Sequence, residues 1–174
     1  MVKLDYNIFL IGFMGAGKSS IARNLQLDLD MPLIEMDERI VEEQGMSIND
    51  IFAQKGEEGF RQIESQLVKD IVEGSGAIVS CGGGVVTRPI NVENMKKNGK
   101  IIFLTATPET ILERVKGGKD RPLLNGHMNV EYISQLMEKR REMYEEAADY
   151  KVATDGKSLG EICSEILMLL TRGN

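Results

Sequence analysis

Short apolar runs rich in β-branched residues alternate along the chain with longer segments whose apolar residues recur at helical spacing. Parallel sheets joined by crossover helices produce this alternation, so the pattern predicts an α/β fold. The predicted strands are Tyr6–Ile11, Leu33–Met36, Ala77–Cys81, Lys100–Leu104 and Lys151–Ala153. Five such strands predict one three-layer domain over residues 1–174, with a five-stranded parallel sheet between layers of helices.

Residues able to cap a first helical turn precede three of the predicted helices. These residues are Ser47, Thr107 and Ser158. Helical spacing also runs from Glu57 to Val72 and from Asn129 to Ala148. Segment 116–128, in contrast, is rich in glycine and charge and has no period, which predicts a mobile loop or a plain surface connection.

The composition and charge exclude several classes of protein. The chain has 174 residues and a formal net charge of −6, which disfavours nucleic acid as a partner because phosphate binding requires a basic face. We find neither a run of about 18 apolar residues nor a signal-peptide core, so we expect a cytoplasmic protein without a membrane partner. Two cysteines are too few for a disulfide scaffold and are expected to be reduced.

The strongest motif follows the first predicted strand. Residues Gly12–Ser20 match the phosphate-binding pattern G-x-x-x-x-G-K-[ST], in which backbone N–H groups converge on phosphate oxygens. Lys18 is expected to reach the β- and γ-phosphates of ATP, and Ser19 to bind Mg²⁺. The predicted nucleotide contacts are Gly12, Met14, Gly15, Ala16, Gly17, Lys18, Ser19 and Ser20. The motif occurs in motors, switches and small-molecule kinases, so it does not select the reaction.

Asp37 comes directly after the second predicted strand, Leu33–Met36. Open α/β sheets bind ligands at the carboxyl ends of their strands, which makes Asp37 a candidate site residue. A carboxylate at this point could instead cap a helix that begins near Arg39.

Two arginines suggest a substrate that carries a carboxylate, because a guanidinium is a rigid fork that matches two carboxylate oxygens. Arg61 could instead form a surface pair with Glu64, three residues later. Arg140 could instead lie on a solvated helix face, and its neighbour Arg141 is a rival for the same role.

Three consecutive glycines, Gly82, Gly83 and Gly84, follow the apolar strand Ala77–Cys81. Glycine loses the most backbone entropy on folding, so the run indicates either a close approach of the backbone to a ligand or a tight turn. Cys81 is expected to be a packed side chain rather than a nucleophile, because the chain has only one histidine, His127.

In order and spacing, these motifs resemble the shikimate kinase family, in the nucleoside-monophosphate-kinase-like group of P-loop proteins. The segments that carry the resemblance are residues 11–19, Asp37, residues 56–64, residues 81–84, residues 121–124, and Arg140 four residues before Tyr144. The resemblance implies Mg²⁺- and ATP-dependent phosphorylation of the 3-hydroxyl of shikimate, a step of aromatic amino-acid biosynthesis. It also implies a monomer.

The same resemblance implies roles for the substrate-facing residues. Asp37 would contact the attacking hydroxyl, within a substrate-binding helical segment at about residues 37–64. Arg61, Arg140 and the turn Gly82–Gly84 would hold the shikimate carboxylate.

On the nucleotide side, the resemblance makes segment 116–128 a lid that brings Arg121 to the γ-phosphate. Lys18, Asp37 and Arg121 would be the catalytic residues. Arg114 would stack on adenine, although it could instead be a charge that favours a helix C-terminus. Glu35 stands where the family usually has Asp and would contribute to the Mg²⁺ shell through water, with a solvent-facing side chain as the alternative.

Two alternative functions are compatible with the phosphate-binding motif. The first is another small-metabolite kinase of the same fold, acting on gluconate or a nucleoside monophosphate. The second is a nucleotide-binding module without catalysis, for which the combination of Lys18, Ser19, Asp37 and Arg121 would have no evident use.

Overall fold

The computed structural model of the protein describes residues 2–116 and 129–172. The described residues form one sheet of five parallel strands, in the spatial order β2-β3-β1-β4-β5. The strands are β1 (Asn7–Ile11), β2 (Leu33–Glu35), β3 (Ile78–Ser80), β4 (Gly99–Thr105) and β5 (Tyr150–Ala153). The predicted α/β fold and all five strands are confirmed. No strand end differs from its predicted position by more than one residue.

Seven α-helices cover the sheet within the described ranges. They are α1 (Lys18–Leu25), α2 (Met36–Gln44), α3 (Ile48–Ile71), α4 (Pro89–Lys96), α5 (Pro108–Val115), α6 (Val130–Ala147) and α7 (Leu159–Arg172). The three predicted caps are confirmed, because Ser47, Thr107 and Ser158 each accept a hydrogen bond from the backbone N–H three residues later.

Helix α3 joins two segments that the sequence predicted separately. Its backbone leaves helical geometry at Gly56, where φ is 70° and ψ is 178°, a conformation that only glycine adopts easily. The kink separates a first part that begins at the Ser47 cap from a second part that contains Arg61.

Helix α4 was not predicted from the sequence. Asn91 and Asn94 occupy its buried side together with Met95, so the helix lacks the apolar stripe that would have indicated it. The buried Asn91 donates a hydrogen bond from its side-chain nitrogen to the carbonyl oxygen of Val85, which gives that nitrogen a partner inside the protein.

Two hydrophobic clusters lie on opposite faces of the sheet. In β1, Ile8 and Leu10 face one cluster while Phe9 and Ile11 face the other, and all four side chains are fully buried. Helices α1 and α7 pack on the first face, and α3, α4 and part of α6 pack on the second, which gives the three predicted layers.

The strand order determines where a ligand can bind. Central β1 pairs with β3 on one side and with β4 on the other, so the connections diverge at its carboxyl end. Such a point leaves a crevice between the loops, and open α/β sheets bind ligands there. The segments after β1, β2 and β3, which carry most of the predicted site residues, all meet at this edge. No helix in the described ranges is both long and apolar enough to cross a bilayer.

Candidate active site

The phosphate-binding loop follows β1 and ends at the first residue of α1, Lys18. Three of its glycines have a positive φ: 151° at Gly12, 81° at Gly15 and 93° at Gly17. At Gly12 a Cβ atom would lie only 2.5 Å from the carbonyl oxygen of Leu104 at the end of β4. These glycines are therefore required by the tight path of the loop and by its contact with the sheet.

The ammonium group of Lys18 lies in the centre of this loop. It donates hydrogen bonds to the carbonyl oxygens of Gly12 at 2.6 Å and Phe13 at 3.0 Å, and the residue is buried. A charged amine held in this way presents its positive charge to an anion bound by the loop.

Arg114 reaches the same loop from α5. Its Nη1 donates to the carbonyl oxygen of Gly15 at 2.9 Å and to the hydroxyl of Thr154 at 3.3 Å. Although Arg114 is in the last turn of α5, its side chain thus contacts the phosphate-binding loop, as a residue near a bound nucleotide should.

Beside the loop, Ser19, Glu35 and Ser80 form a polar cluster. The Ser19 hydroxyl lies 2.8 Å from Glu35 Oε2 and 3.3 Å from the Ser80 hydroxyl. Glu35 and Ser80 are register partners in β2 and β3, so the sheet itself places them together. Glu35 is only 14% exposed, so the solvent-facing alternative for this residue is wrong.

This cluster fits the predicted Mg²⁺ site. Glu35 Oε1 is buried, accepts no hydrogen bond, and lies 3.5 Å from Arg23 Nη1. Hydroxyl and carboxylate oxygens are the ligands that Mg²⁺ prefers. Within residues 2–116 and 129–172, no three His, Cys, Asp or Glu side chains could hold a metal together, so Mg²⁺ here would keep water or phosphate ligands.

Asp37 lies in the first turn of α2, immediately after β2, and its side chain is exposed to the crevice. The N-cap of α2 is Glu35 rather than Asp37, so the helix-cap alternative for Asp37 is wrong. One cavity of about 330 Å³ is lined by the phosphate-binding loop, Glu35, Asp37, Ser80 and residues 81–83. The phosphate-binding loop and the Asp37 carboxylate therefore face the same space.

Arg61 is buried under the glycine turn, and two carboxylates flank its guanidinium. Nη1 donates to Glu64 Oε1 at 3.0 Å, and Nη2 lies 3.5 Å from Glu57 Oε1. Its Nε has no hydrogen-bond partner in the structure. The pair with Glu64 that the sequence suggested does exist, but it lies in the interior rather than on the surface.

Glu64 lies beside the site, although the sequence suggested it only as a surface partner of Arg61. It is 0% exposed, and its Oε2 has no hydrogen-bond partner. Burial raises the pKa of its carboxyl group; Arg61 opposes this rise, and the nearby Asp37 adds to it. The spacing of Arg61 and Glu64 was the available signal, but spacing along a helix does not reveal burial.

Arg140 and Arg141 lie in very different surroundings. Arg140 is buried, with its Nη1 3.6 Å from the position that a Cβ on Gly83 would take. Arg141 is 57% exposed and forms ion pairs with Glu138 and Glu145 on the helix surface. Only Arg140 therefore lies close to the glycine turn, and the solvated-face alternative applies to its neighbour.

The glycine turn after β3 is shaped by the side chains packed against it. A Cβ on Gly82 would lie 2.7 Å from Glu64 Oε2 and 3.1 Å from Asp37 Oδ1. On Gly84 a Cβ would overlap the guanidinium of Arg61. Charged side chains of the protein itself therefore make at least part of the close approach to the backbone that the three glycines indicated.

Cys81 is buried beside this turn, and burial raises the pKa of its thiol well above the ordinary value. It is a packed side chain, as predicted. Arg121, His127 and all of the predicted lid except residue 116 lie outside the described residues.

Comparisons with known proteins agree on one family. A sequence model described as shikimate kinase matches residues 14–171. A shikimate kinase of Dehalococcoides mccartyi is 43% identical over 95% of this chain and 93% of its own length. The solved shikimate kinase of Acinetobacter baumannii in complex with shikimate has a TM-score of 0.94 at 30% identity, covering 99% of this chain and 96% of its own.

A second solved structure, the shikimate kinase of Aquifex aeolicus, has a TM-score of 0.82 at 38% identity, with 95% of this chain and 96% of that chain covered. A gluconokinase of Sinorhizobium meliloti has a TM-score of 0.58 at 20% identity, over 98% and 94% of the two chains. That likeness shows a shared fold and no more.

Proposed function

The chain belongs to the shikimate kinase family, and on that premise we propose how its residues carry out the reaction. The protein is an ATP-dependent kinase that phosphorylates shikimate. The gluconate-kinase, nucleoside-monophosphate-kinase and non-catalytic alternatives are not favoured. Three points are our proposals: which residues bind the substrates and transfer the phosphoryl group, which hydroxyl is phosphorylated, and which metal takes part.

The observation that carries the proposal is the shared cavity at the carboxyl ends of β1, β2 and β3. The phosphate-binding loop lines one side of it, and Asp37 with the glycine turn lines the other. A phosphoryl group and an acceptor hydroxyl bound there would face each other without intervening protein. Alignment of this kind contributes much of the rate in phosphoryl transfer.

The shikimate carboxylate binds between Arg61, Arg140 and the turn Gly82–Gly84 in this proposal. Both guanidinium groups are buried, where a hydrogen bond to a carboxylate is stronger than at the surface. Arg61 is held in place by Glu64 while its contact with Glu57 is long, so Glu57 can yield to a substrate carboxylate. Holding the carboxylate leaves the hydroxyl groups directed toward Asp37.

Asp37 orients the 3-hydroxyl and accepts its proton as the bond to the γ-phosphorus of ATP forms. The bond between that phosphorus and the β–γ bridging oxygen breaks, and ADP leaves. The ammonium of Lys18 counters the charge on the transferred phosphoryl group, and Arg114 supports the nucleotide from the other side of the loop. Ser19, and Glu35 through water, would hold Mg²⁺, which when bound neutralises charge on the β- and γ-phosphates. Arg121 adds a further positive charge in this proposal, from the part of the chain outside the described residues.

We also propose that the protein is cytoplasmic and monomeric. Size-exclusion chromatography with light scattering tests the monomer, and cell fractionation tests the location. The activity itself is tested by coupling ADP release to NADH oxidation, with shikimate, gluconate and nucleoside monophosphates offered separately. Only shikimate should raise turnover above the rate without acceptor. Phosphorus–proton coupling in the NMR spectrum of the product identifies the modified hydroxyl, and a phosphate anywhere but on the 3-hydroxyl would contradict the proposed alignment.

A further inference from the structure

Tyr144 is a buried polar side chain to which neither the proposed binding nor the proposed transfer assigns a role. It lies on α6, four residues after Arg140, and is only 2% exposed. Its ring stacks on Phe103 of β4, with 4.9 Å between ring centroids and an angle of 21°. A tyrosine hydroxyl in such a core requires a hydrogen-bond partner, because an unpaired one would lose its hydrogen bonds to water without replacement.

The partner of this hydroxyl is the glycine turn. Tyr144 donates a hydrogen bond to the carbonyl oxygen of Gly83, 61 positions earlier in the chain. The same hydroxyl interacts with the guanidinium of Arg140. Burial raises the pKa of Tyr144, so the phenol stays protonated and able to donate at neutral pH.

The other two carbonyl groups of the turn are bonded locally. The carbonyl oxygen of Gly82 accepts from the N–H of Val85 at 3.1 Å. That of Gly84 accepts from the N–H of Thr87 at 3.0 Å and from its hydroxyl at 2.6 Å. The Gly83 carbonyl is bonded by Tyr144, from a different layer of the fold.

The hydrogen bond from Tyr144 to Gly83 matters because of peptide geometry. The carbonyl of Gly83 and the N–H of Gly84 belong to one planar peptide group, so fixing the first fixes the direction of the second. Glycine residues have many accessible backbone conformations, so the turn would otherwise sample several orientations of this group.

We propose that Tyr144 is a positioning residue for the shikimate carboxylate, because its hydroxyl holds the Gly83–Gly84 peptide and the Arg140 guanidinium in one arrangement. The inference rests on the proposed function, in which the turn and Arg140 bind that carboxylate. Tyr144 itself does not contact the substrate. Its effect is to present two binding groups from distant parts of the chain with their relative orientation already set.

The test is Tyr144→Phe, which removes one hydroxyl and keeps the stacked ring. We expect the KM and the Kd for shikimate to rise roughly tenfold, because the freed peptide and guanidinium must then be ordered when the substrate binds. The kcat and the KM for ATP should stay within about twofold, because the phosphate-binding loop and Asp37 are not touched. Titration calorimetry is run well below the melting temperature of the variant, where the folded fraction is close to one and partial unfolding cannot imitate lost affinity.

The matched control is Tyr150→Phe, which removes a hydroxyl at the amino end of β5, the opposite edge of the sheet from the site. It should leave the shikimate constants unchanged. If Tyr144→Phe lowers the melting temperature but leaves the shikimate Kd unchanged, Tyr144 has only a structural role and the inference is wrong. Failure of the proposed function would look different, since the wild-type protein itself would then show no binding or turnover of shikimate.

Discussion

Replacing Gly82 by alanine tests whether the glycine turn is shaped by the side chains of the site. Gly82 is not among the glycines with positive φ, so an alanine can adopt its backbone conformation. The added methyl would lie 2.7 Å from Glu64 Oε2 and 3.1 Å from Asp37 Oδ1. Glu64 cannot turn away easily, because it is fully buried and its other oxygen is paired with Arg61.

The distances set the expected size of the effect. Ordinary contact begins at 3.4 Å, so the two carboxylates must move by about 0.3 to 0.7 Å to admit the methyl group. A misplacement of about 1 Å at a reacting group can cost about a hundredfold in rate, so the shift of about 0.3 Å at Asp37 should cost roughly fourfold in kcat. That corresponds to about 0.8 kcal/mol of lost transition-state stabilisation.

The assay is steady-state kinetics with shikimate and ATP varied separately, on three alanine variants. Gly82→Ala should lower kcat, because it moves Asp37. Gly84→Ala should mainly raise the KM for shikimate, because its methyl overlaps the guanidinium of Arg61. Gly74→Ala is the matched control, since the nearest atom to its Cβ would be 3.7 Å away.

Two results would refute this reasoning. The first is a Gly82→Ala enzyme with the kcat of the wild type, which would mean that the crevice accommodates the methyl group without moving Asp37. The second is a Gly74→Ala enzyme that loses as much activity as Gly82→Ala, which would point to a general loss of stability. Melting temperatures of all three variants separate local from global effects.

Three further predictions address single residues of the site, and a fourth addresses the two buried cysteines. Asp37→Asn should lower kcat by about a hundredfold or more with little change in the KM for shikimate, and a change confined to KM would indicate a binding role instead. Arg61→Lys should weaken shikimate binding by roughly ten- to a hundredfold, because an ammonium cannot replace the two-pronged contact; calorimetry showing normal affinity would leave Arg61 only its pair with Glu64. Glu35→Gln should raise the Mg²⁺ concentration needed for half-maximal activity and weaken Mg²⁺ binding measured by calorimetry in the presence of ADP, while the shikimate Kd stays unchanged; an unaltered Mg²⁺ dependence would end its proposed role. Burial raises the pKa of Cys163 to about 11 and that of Cys81 further, so at pH 8 only about one Cys163 thiol in a thousand is ionised, and Ellman's reagent should react with both only after unfolding; rapid labelling of the native protein would contradict their burial.

The sequence could not decide which of the neighbouring residues Arg140 and Arg141 lies at the site. Successive residues of a helix are rotated by about 100°, so one of two neighbours can face the core while the other faces water. Arg140 occupies a buried position that the apolar pattern of α6 did not mark, one turn before the buried Tyr144. Which arginine is buried depends on what packs against the helix, and here that is the glycine turn from β3.

Glu64 and Ser80 illustrate the same limit for polar residues. A buried carboxylate or hydroxyl looks like a surface residue in the sequence, because burial of polar groups leaves no apolar period. Glu64 is buried by its partner Arg61 and by the turn above it, and Ser80 by its register with Glu35 in β2. Ser80 and Glu35 are distant along the chain. Arg61 and Glu64 have the spacing of an ordinary pair on a helix surface, so the spacing does not reveal that they are buried.

The sequence by itself determined the α/β class, the five strands, the capped starts of three helices and the phosphate-binding loop. Each of these depends on local order: apolar period, capping chemistry, or glycines at fixed spacing before Lys18. The tertiary structure decided which charged residues are buried, why Gly82 and Gly84 have little room for a side chain, and how Tyr144 reaches the glycine turn. These facts depend on contacts between segments far apart in the chain, and the parallel sheet brings those segments together only because the carboxyl ends of its strands share one edge.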